Sequence, residues 1–247
     1  MSWFNDAVDD FHVNLNLNTE LEIACDNEAI FHYFEMFGRA YPDMKKFEAQ
    51  DGADWIRVFE EDREKPDFRW LTVEKQRISS GYTNPPKLES AYELHRKVLE
   101  LAPTALSVSP LNVKALDLMF GFDMTYEGNH DEIVARALAP PCFDRFVDDS
   151  GTRIINFEPN ITFAVDEACN VQCRLAIETR TSVPQVVSGR FEDNQFSVFF
   201  TVRQYWSPQN RDFRSACERL AEIGEKFVDR NVIPQVIKPL AEVIASL

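Results

Sequence analysis

The chain lacks the positive charge that nucleic-acid-binding proteins use. Asp and Glu outnumber Lys and Arg by 41 to 26, and no basic run is longer than the pair Lys45-Lys46. A net charge of −15 repels the phosphates of nucleic acids and of anionic membranes. We therefore expect neither nucleic acid nor membrane among the partners.

Long apolar segments are missing as well. The sequence contains no run of 18 apolar residues, so no membrane-spanning helix is predicted. The first residues, MSWFNDAVDDFHV, are acidic and polar, unlike a signal or transit peptide. The cysteines number five and are scattered, a pattern typical of reduced thiols. These features predict a cytoplasmic protein, and we take a bacterial source as the expectation.

Motifs for common cofactors are also scarce. With 8 glycines, the sequence offers no G-x-G-x-x-G, no P-loop and no G-x-S-x-G around a nucleophilic serine. Cys169 and Cys173 are four residues apart, but no second Cys or His pair accompanies them. We interpret them as a structural pair of buried thiols and predict no metal and no cofactor.

The apolar residues that are present follow strand and helix periods. Hydrophobic residues make up 45% of the chain, and 20 of its residues are Phe, which is ample for a core. Alternation of apolar and polar residues is clearest over 115–126 and over FHVNLNL, residues 11–17. Further strands are predicted at 54–60, 68–75, 153–158, 160–167, 171–182 and 195–206.

Helices are predicted between and after these strands. Asp26 is placed to cap a first helix, and a second spans about 87–101 and ends before Pro103. The stretch SSGYTNPP before it has the composition of a loop. The C-terminal end carries an apolar helical stripe, and Pro234 and Pro239 predict a break or kink before a final helix docked at an angle.

Isolated helices among runs of strands predict an α+β fold. We expect mainly antiparallel sheet, helices packed on one face and helices at the C-terminus. The proline-containing and acidic segment 139–152 is the best candidate for a boundary. The prediction is an N-terminal α+β half, 1–139, and a C-terminal β-rich half, 140–247, with one continuous domain as the alternative.

One polar cluster follows the longest predicted strand, in the stretch FDMTYEGNHDEIVARAL. Asn129 can cap a helix that starts at His130, with Glu132 in the capping-box position and able to pair with Arg136. Successive helix positions point about 100° apart, so three neighbouring side chains do not converge on one ion. We interpret the cluster as the start of a helix.

The alternative is a hydrolase-type enzyme. It would place Asp123, His130, Asp131 and Glu132 around a cleft at the end of the long strand, with shifted pKa values. These residues are the weak catalytic candidates. His95 lies on an apolar helix stripe and is expected to be a core histidine bonded to a backbone carbonyl.

Aromatic and arginine side chains on two adjacent predicted strands form a second candidate. Trp55, Arg57 and Trp70 could bind a peptide or protein, but we favour the alternative that Trp55 and Trp70 are core aromatic residues. The polar face of the first strand, with His12, is either a wet sheet face or the wall of a shallow groove.

Three functions remain open on the sequence. We expect a non-catalytic protein that binds another protein or a peptide, with a homo-oligomer as one form of that binding, because no motif for chemistry is present. The hydrolase is the first alternative. The second is a carrier of a small apolar ligand in a Phe-lined cavity.

Overall fold

A single nine-stranded antiparallel sheet runs through the computed structural model, which describes residues 7–24, 26–52, 55–143, 152–207 and 212–247. Across the sheet the strand order is β2-β3-β4-β5-β1-β6-β9-β8-β7. The strands are β1 (Asp10–Thr19), β2 (Lys46–Gln50), β3 (Ile56–Glu60), β4 (Phe68–Glu74), β5 (Arg77–Thr83), β6 (Val113–Glu127), β7 (Asn160–Ala164), β8 (Val171–Glu178) and β9 (Asp193–Tyr205).

Helices occur between and after the strands, so the protein has the predicted α+β fold. They are α1 (Asn27–Ala40), α2 (Leu88–Ala105), α3 (His130–Leu138), α4 (Val183–Ser188), α5 (Phe213–Phe227) and α6 (Lys238–Ala245), with a π-helix (Val228–Ile237) joining the last two. Short 3₁₀ turns occupy Pro110–Asn112 and Pro141–Phe143. The predicted C-terminal helices are therefore present.

The strand order reveals a structural repeat that has no visible counterpart in the sequence. In the first unit β1 is followed by α1, a meander from β2 back to β5 beside β1, and then α2. In the second unit β6 is followed by α3, a meander from β7 back to β9 beside β6, and then α5. Because β1 and β6 pair antiparallel, an approximate two-fold axis normal to the sheet relates the units. The edge strands β2 and β7 lie at equivalent, opposite ends.

The two faces of the sheet differ, as β1 shows. Val13 and Leu15 are fully buried, whereas His12, Asn14 and Asn16, which alternate with them, are partly exposed. The helix α2 packs on β1 and β5, and α5 packs on β6 and β9. Burying an apolar side chain of this size stabilises the fold by about 1.5–3 kcal/mol. We name the side under the helices the covered face and the other side the open face.

Most of the stretch predicted as a loop, SSGYTNPP, is instead part of the interior strand β5, so the prediction was wrong for residues 79–83, whereas residues 84–86 do form a bend. Ser80 pairs with Leu15 of β1 on one side and Leu71 of β4 on the other. Serine and glycine are common in turns, but within a strand they also leave space that neighbouring side chains can fill. A Cβ on Gly81 would lie 2.3 Å from the indole of Trp70, so a side chain at this strand position would displace the indole.

Two predicted helix ends also differ in the structure. The helix α2 continues to Ala105 with Pro103 inside it, because a proline in the last turn lacks only one N–H bond. No break follows α5, since the π-helix carries Pro234 within wider turns and passes directly into α6. The predicted break is therefore not observed, while the kink given as its alternative stays a prediction.

Other differences lie in the second half of the chain. The predicted strand 153–158 has no regular structure, while β2 and α4 were not predicted at all. Residues 144–151 of the proposed boundary segment lie outside the described residues. Cys173 is buried, and burial raises the pKa of its thiol to about 11, but Cys169 is exposed in a turn, so the interpretation as two buried thiols was wrong.

Candidate functional site

The polar cluster after β6 begins a helix, as predicted. The Asn129 side chain accepts hydrogen bonds from the backbone N–H groups of Asp131 at 3.1 Å and Glu132 at 3.4 Å. Glu132 pairs with Arg136 one turn later, and this pair replaces the back-bond of a capping box. The N–H of His130 is satisfied by the Thr181 hydroxyl at 2.9 Å. The helix start is thus capped by local and distant groups.

His130 and Asp131 hold backbone segments in place. His130 Nε2 lies 3.0 Å from the carbonyl oxygen of Tyr126, and its Nδ1 accepts from the backbone N–H of Arg180. Burial lowers the pKa of His130, which favours the neutral ring. Asp131 Oδ1 accepts from the Phe157 N–H at 2.8 Å and from the Thr179 hydroxyl at 2.9 Å. These bonds tie an irregular segment and the end of β8 to α3.

Asp123 and His130 lie on opposite faces of the sheet. The His130 ring packs against Phe196 on the covered face, with ring centroids 5.2 Å apart. Asp123 lies on the open face, where its Oδ1 accepts from the Ser197 hydroxyl at 2.5 Å and its Oδ2 lies 3.7 Å from His12 Nδ1. The structure therefore does not bring Asp123 into one cleft with His130. In the described ranges no three His, Cys, Asp or Glu side chains are grouped to hold a metal ion.

The three aromatic and arginine candidates are divided between the faces too. Arg57 lies opposite Val73, a core residue of the covered side, and bonds Asp51 at 2.7 Å. Its guanidinium lies 5.6 Å from the ring centre of Trp55, which packs at the edge of the core. Trp70 lies across Gly81 on the open face. Trp70 is therefore separated from the other two.

The open face carries polar side chains whose charges are largely paired. Arg203 on β9 holds Asp117 on β6 by two hydrogen bonds of 2.7 Å, and Asn18 on β1 donates to the same carboxylate at 3.1 Å. These bonds raise the pKa of Arg203 above its ordinary value. Asp117 is only 4% exposed, so it contributes little free negative charge to this surface.

His12 packs flat onto the open face in a space left by a glycine. A Cβ on Gly121 would lie 1.9 Å from His12 Nε2, so the ring occupies the place of a side chain there. Burial lowers the pKa of His12, while Asp123 and Asp10 oppose that shift. The ring of Phe199 lies 5.9 Å away, measured between centroids. The rings of His12 and Phe199 therefore lie side by side on the open face.

Sequence reasoning missed this surface because it read β5 as a loop. Without β5, the residues of β4 and β1 are not neighbours, and Trp70 and Asn14 have no shared surface. The available signal was the two-residue period of Ile78, Ser80 and Tyr82, all buried on the covered face. The amide oxygen of Asn14 is buried beside Gly81 and finds no hydrogen-bond partner among the described residues.

Several clefts lie on the surface of the described chain, and charged side chains line them. A cleft of about 450 Å³ between α2 and the start of α5 is lined by Arg96, Lys97 and Arg214 with Glu93 and Glu100. Another, of about 300 Å³, lies beside α3 and α4. His95 is buried, as expected for a core residue, but its Nδ1 bonds the Ser80 hydroxyl at 2.9 Å.

Comparisons with known proteins add no assignment to this geometry. No family model matches the chain, and no curated protein is similar to it. Within the described ranges, each helix is too short or too polar to cross a membrane.

Proposed function

We propose that the protein binds another protein or a peptide on the open face of its sheet. The supporting observation is that α2 and α5 pack on one side of the sheet, while the other side combines apolar side chains with paired charges. The larger aliphatic, Met, Phe and Trp side chains on the open face are Ile56, Val58, Phe68, Trp70, Met119 and Phe199.

The composition of this surface is typical of a protein interface. Interface centres are enriched in aromatic residues, Met and Arg and depleted of unpaired charge. The partly exposed Trp70 and Met119 provide such groups, and the partly exposed Asn16 offers an amide for hydrogen bonds to a partner's backbone. Fixed strands hold these groups in place, so little conformational entropy is lost on binding.

The dimensions of the open face also suit a protein partner. Nine strands spaced about 4.8 Å apart, each contributing about six residues, give a surface of roughly 40 Å by 20 Å. That is about 800 Å², the area that each partner contributes to an interface of ordinary size. A small molecule would cover only a fraction of it.

Site-specific photo-crosslinking in cells tests this proposal. A photoreactive phenylalanine at Thr72 or Thr201 would lie on the open face, and one at the exposed Glu222 of α5 serves as the matched control. We expect the same discrete adduct from both open-face positions and none from Glu222. Absence of adducts at Thr72 and Thr201, or equal adducts at all three positions, would count against binding on this face.

We further propose a cytoplasmic location in a bacterium. The thiols of Cys173 and Cys217 are buried and free, and burial raises the pKa of Cys217 to about 12. Such thiols suit a reducing compartment. Cell fractionation with antibody detection tests the location, and recovery of the protein outside the cytoplasmic fraction contradicts it.

A further inference from the structure

We propose that the edge strand β7 accepts an extended segment of a partner protein, with an alternating uncharged centre and basic ends. The inference rests on the proposed binding function but uses a different surface. The partner segment would extend the sheet by one strand, through backbone hydrogen bonds with the outward edge of β7.

The backbone pattern shows which groups point outward. The Val165 N–H donates to the carbonyl oxygen of Val171 at 2.9 Å, and the Ile177 N–H donates to the carbonyl oxygen of Pro159 at 3.1 Å. Because antiparallel pairs alternate, the odd residues Ile161 and Phe163 direct their N–H and C=O groups toward β8. The intervening even positions direct theirs away from the sheet, and they find no backbone partner among the described residues: Asn160, Thr162 and Ala164.

The two edges of the sheet differ in how they resist pairing. Charges protect β2, where Lys46 pairs with Glu48 at 2.9 Å and with Glu60 at 3.1 Å. The strand β7, NITFA, contains no charge and no proline. Ile161 is 56% exposed, so its apolar side chain is open to an added strand. The edge β7 therefore retains the features of a pairing template.

Side chains on β7 define what the added strand should carry. On the covered side Ile161 is followed by Phe163, whose ring lies 5.3 Å from that of Phe227. An apolar residue of the partner would extend this contact. On the open side the positions are Asn160, Thr162 and Ala164, which suit small or polar neighbours. The partner segment should therefore alternate residues such as Val and Thr.

Charge argues against a second copy of this chain as the occupant. Self-pairing about Thr162 in antiparallel register would match all five residues of β7. It would also place Glu158 of one copy opposite Asp166 of the other, twice, with Glu167 nearby. Like charges directly opposite are destabilising, and each chain carries −15 overall. A partner with Lys or Arg flanking its strand complements the same acids.

A labelled peptide provides the direct test. We would measure binding of fluorescent Lys-Lys-Thr-Val-Thr-Val-Thr-Lys-Lys to the full chain by anisotropy, and compare a version with Glu in place of each Lys. The variant Thr162→Pro removes the central outward N–H, and the control Thr162→Ala keeps it. We expect Thr162→Pro and the Glu peptide each to weaken binding about tenfold, and Thr162→Ala to change it less than about twofold.

Hydrogen exchange on the wild-type protein tests the same contact without the proline variant, which could fail to fold. Adding the Lys peptide should slow exchange at the Thr162 amide and leave the Phe163 amide, already bonded to β8, unchanged. Equal binding by Thr162→Pro and Thr162→Ala, no protection of Thr162, or a dimer that Thr162→Pro abolishes would overturn the proposal. Trp70→Ala changes the open face and leaves β7 intact, so this variant should still bind the peptide. A failure of the open-face proposal can therefore be distinguished from a failure of the β7 proposal.

Discussion

The clearest quantitative consequence of the structure concerns His95 on α2. Its side chain is fully buried, and its Nδ1 lies 2.9 Å from the hydroxyl of Ser80. Burial penalises the charged ring and lowers the pKa of His95 to about 3. In the unfolded chain the same imidazole has a pKa of about 6.5. The unfolded state therefore binds a proton that the folded state rejects.

The sign and size of the effect follow from proton linkage. The stabilisation due to neutral His95 is fully present above pH 6.5 and is lost as the pH falls toward 3. Each pH unit in that window removes up to about 1.4 kcal/mol of the free energy of unfolding. Between pH 7 and pH 4.5 the loss is about 2–3 kcal/mol, a large part of the stability of an ordinary domain.

Urea unfolding of matched variants measures this loss. The amide of His95→Asn can replace the bond to Ser80 but does not titrate. Between pH 7 and pH 4.5, the free energy of unfolding of this variant should therefore fall by about 2–3 kcal/mol less than that of the wild-type protein. The carboxylates are common to both proteins, so their titration cancels in the comparison. The control His32→Asn changes an exposed residue of α1 and should retain the full pH dependence. Equal pH dependence in wild type and His95→Asn would refute the reasoning.

Two further predictions concern the glycine under His12 and the cap of α3. Gly121→Ala places a methyl group where the His12 ring lies, so the ring should move into solvent. The pKa of His12 should then rise toward 6.5 in an NMR titration, and the free energy of unfolding should fall by about 1–3 kcal/mol. An unchanged His12 pKa would contradict this packing. Asn129→Ala removes the α3 cap and should cost about 1 kcal/mol in the same assay, whereas Asn129→Asp should recover most of it. Equal stabilities for the two Asn129 variants would contradict the cap.

Much of the local structure could be predicted because its causes lie within a few residues. The alternation in β1 and β6 marks which side chains are buried, and it does so without knowledge of the neighbouring strands. The caps at Asp26 and Asn129 depend on N–H groups two or three residues away. The α+β class follows from the order of such elements along the chain.

Other parts of the fold depended on partners distant in sequence. The composition of Arg77–Thr83 favours a turn, but pairing with β1 and β4 supplies a strand's hydrogen bonds on both sides. Pro103 remains within α2 because packing on the sheet outweighs one missing bond. The local sequence carries only a short two-residue period for β5, and the contacts that decide both outcomes come from distant segments.

The sequence alone therefore determined the α+β class, the apolar faces of β1 and β6 and the role of Asn129, since hydrophobic period and capping act over one or two turns. Only the tertiary structure decided which residues meet. It placed Asp123 and His130 on opposite faces, separated Trp70 from Arg57, and left β7 as an uncharged edge. Strand order is set by contacts between distant segments, and no local pattern of residues encodes it.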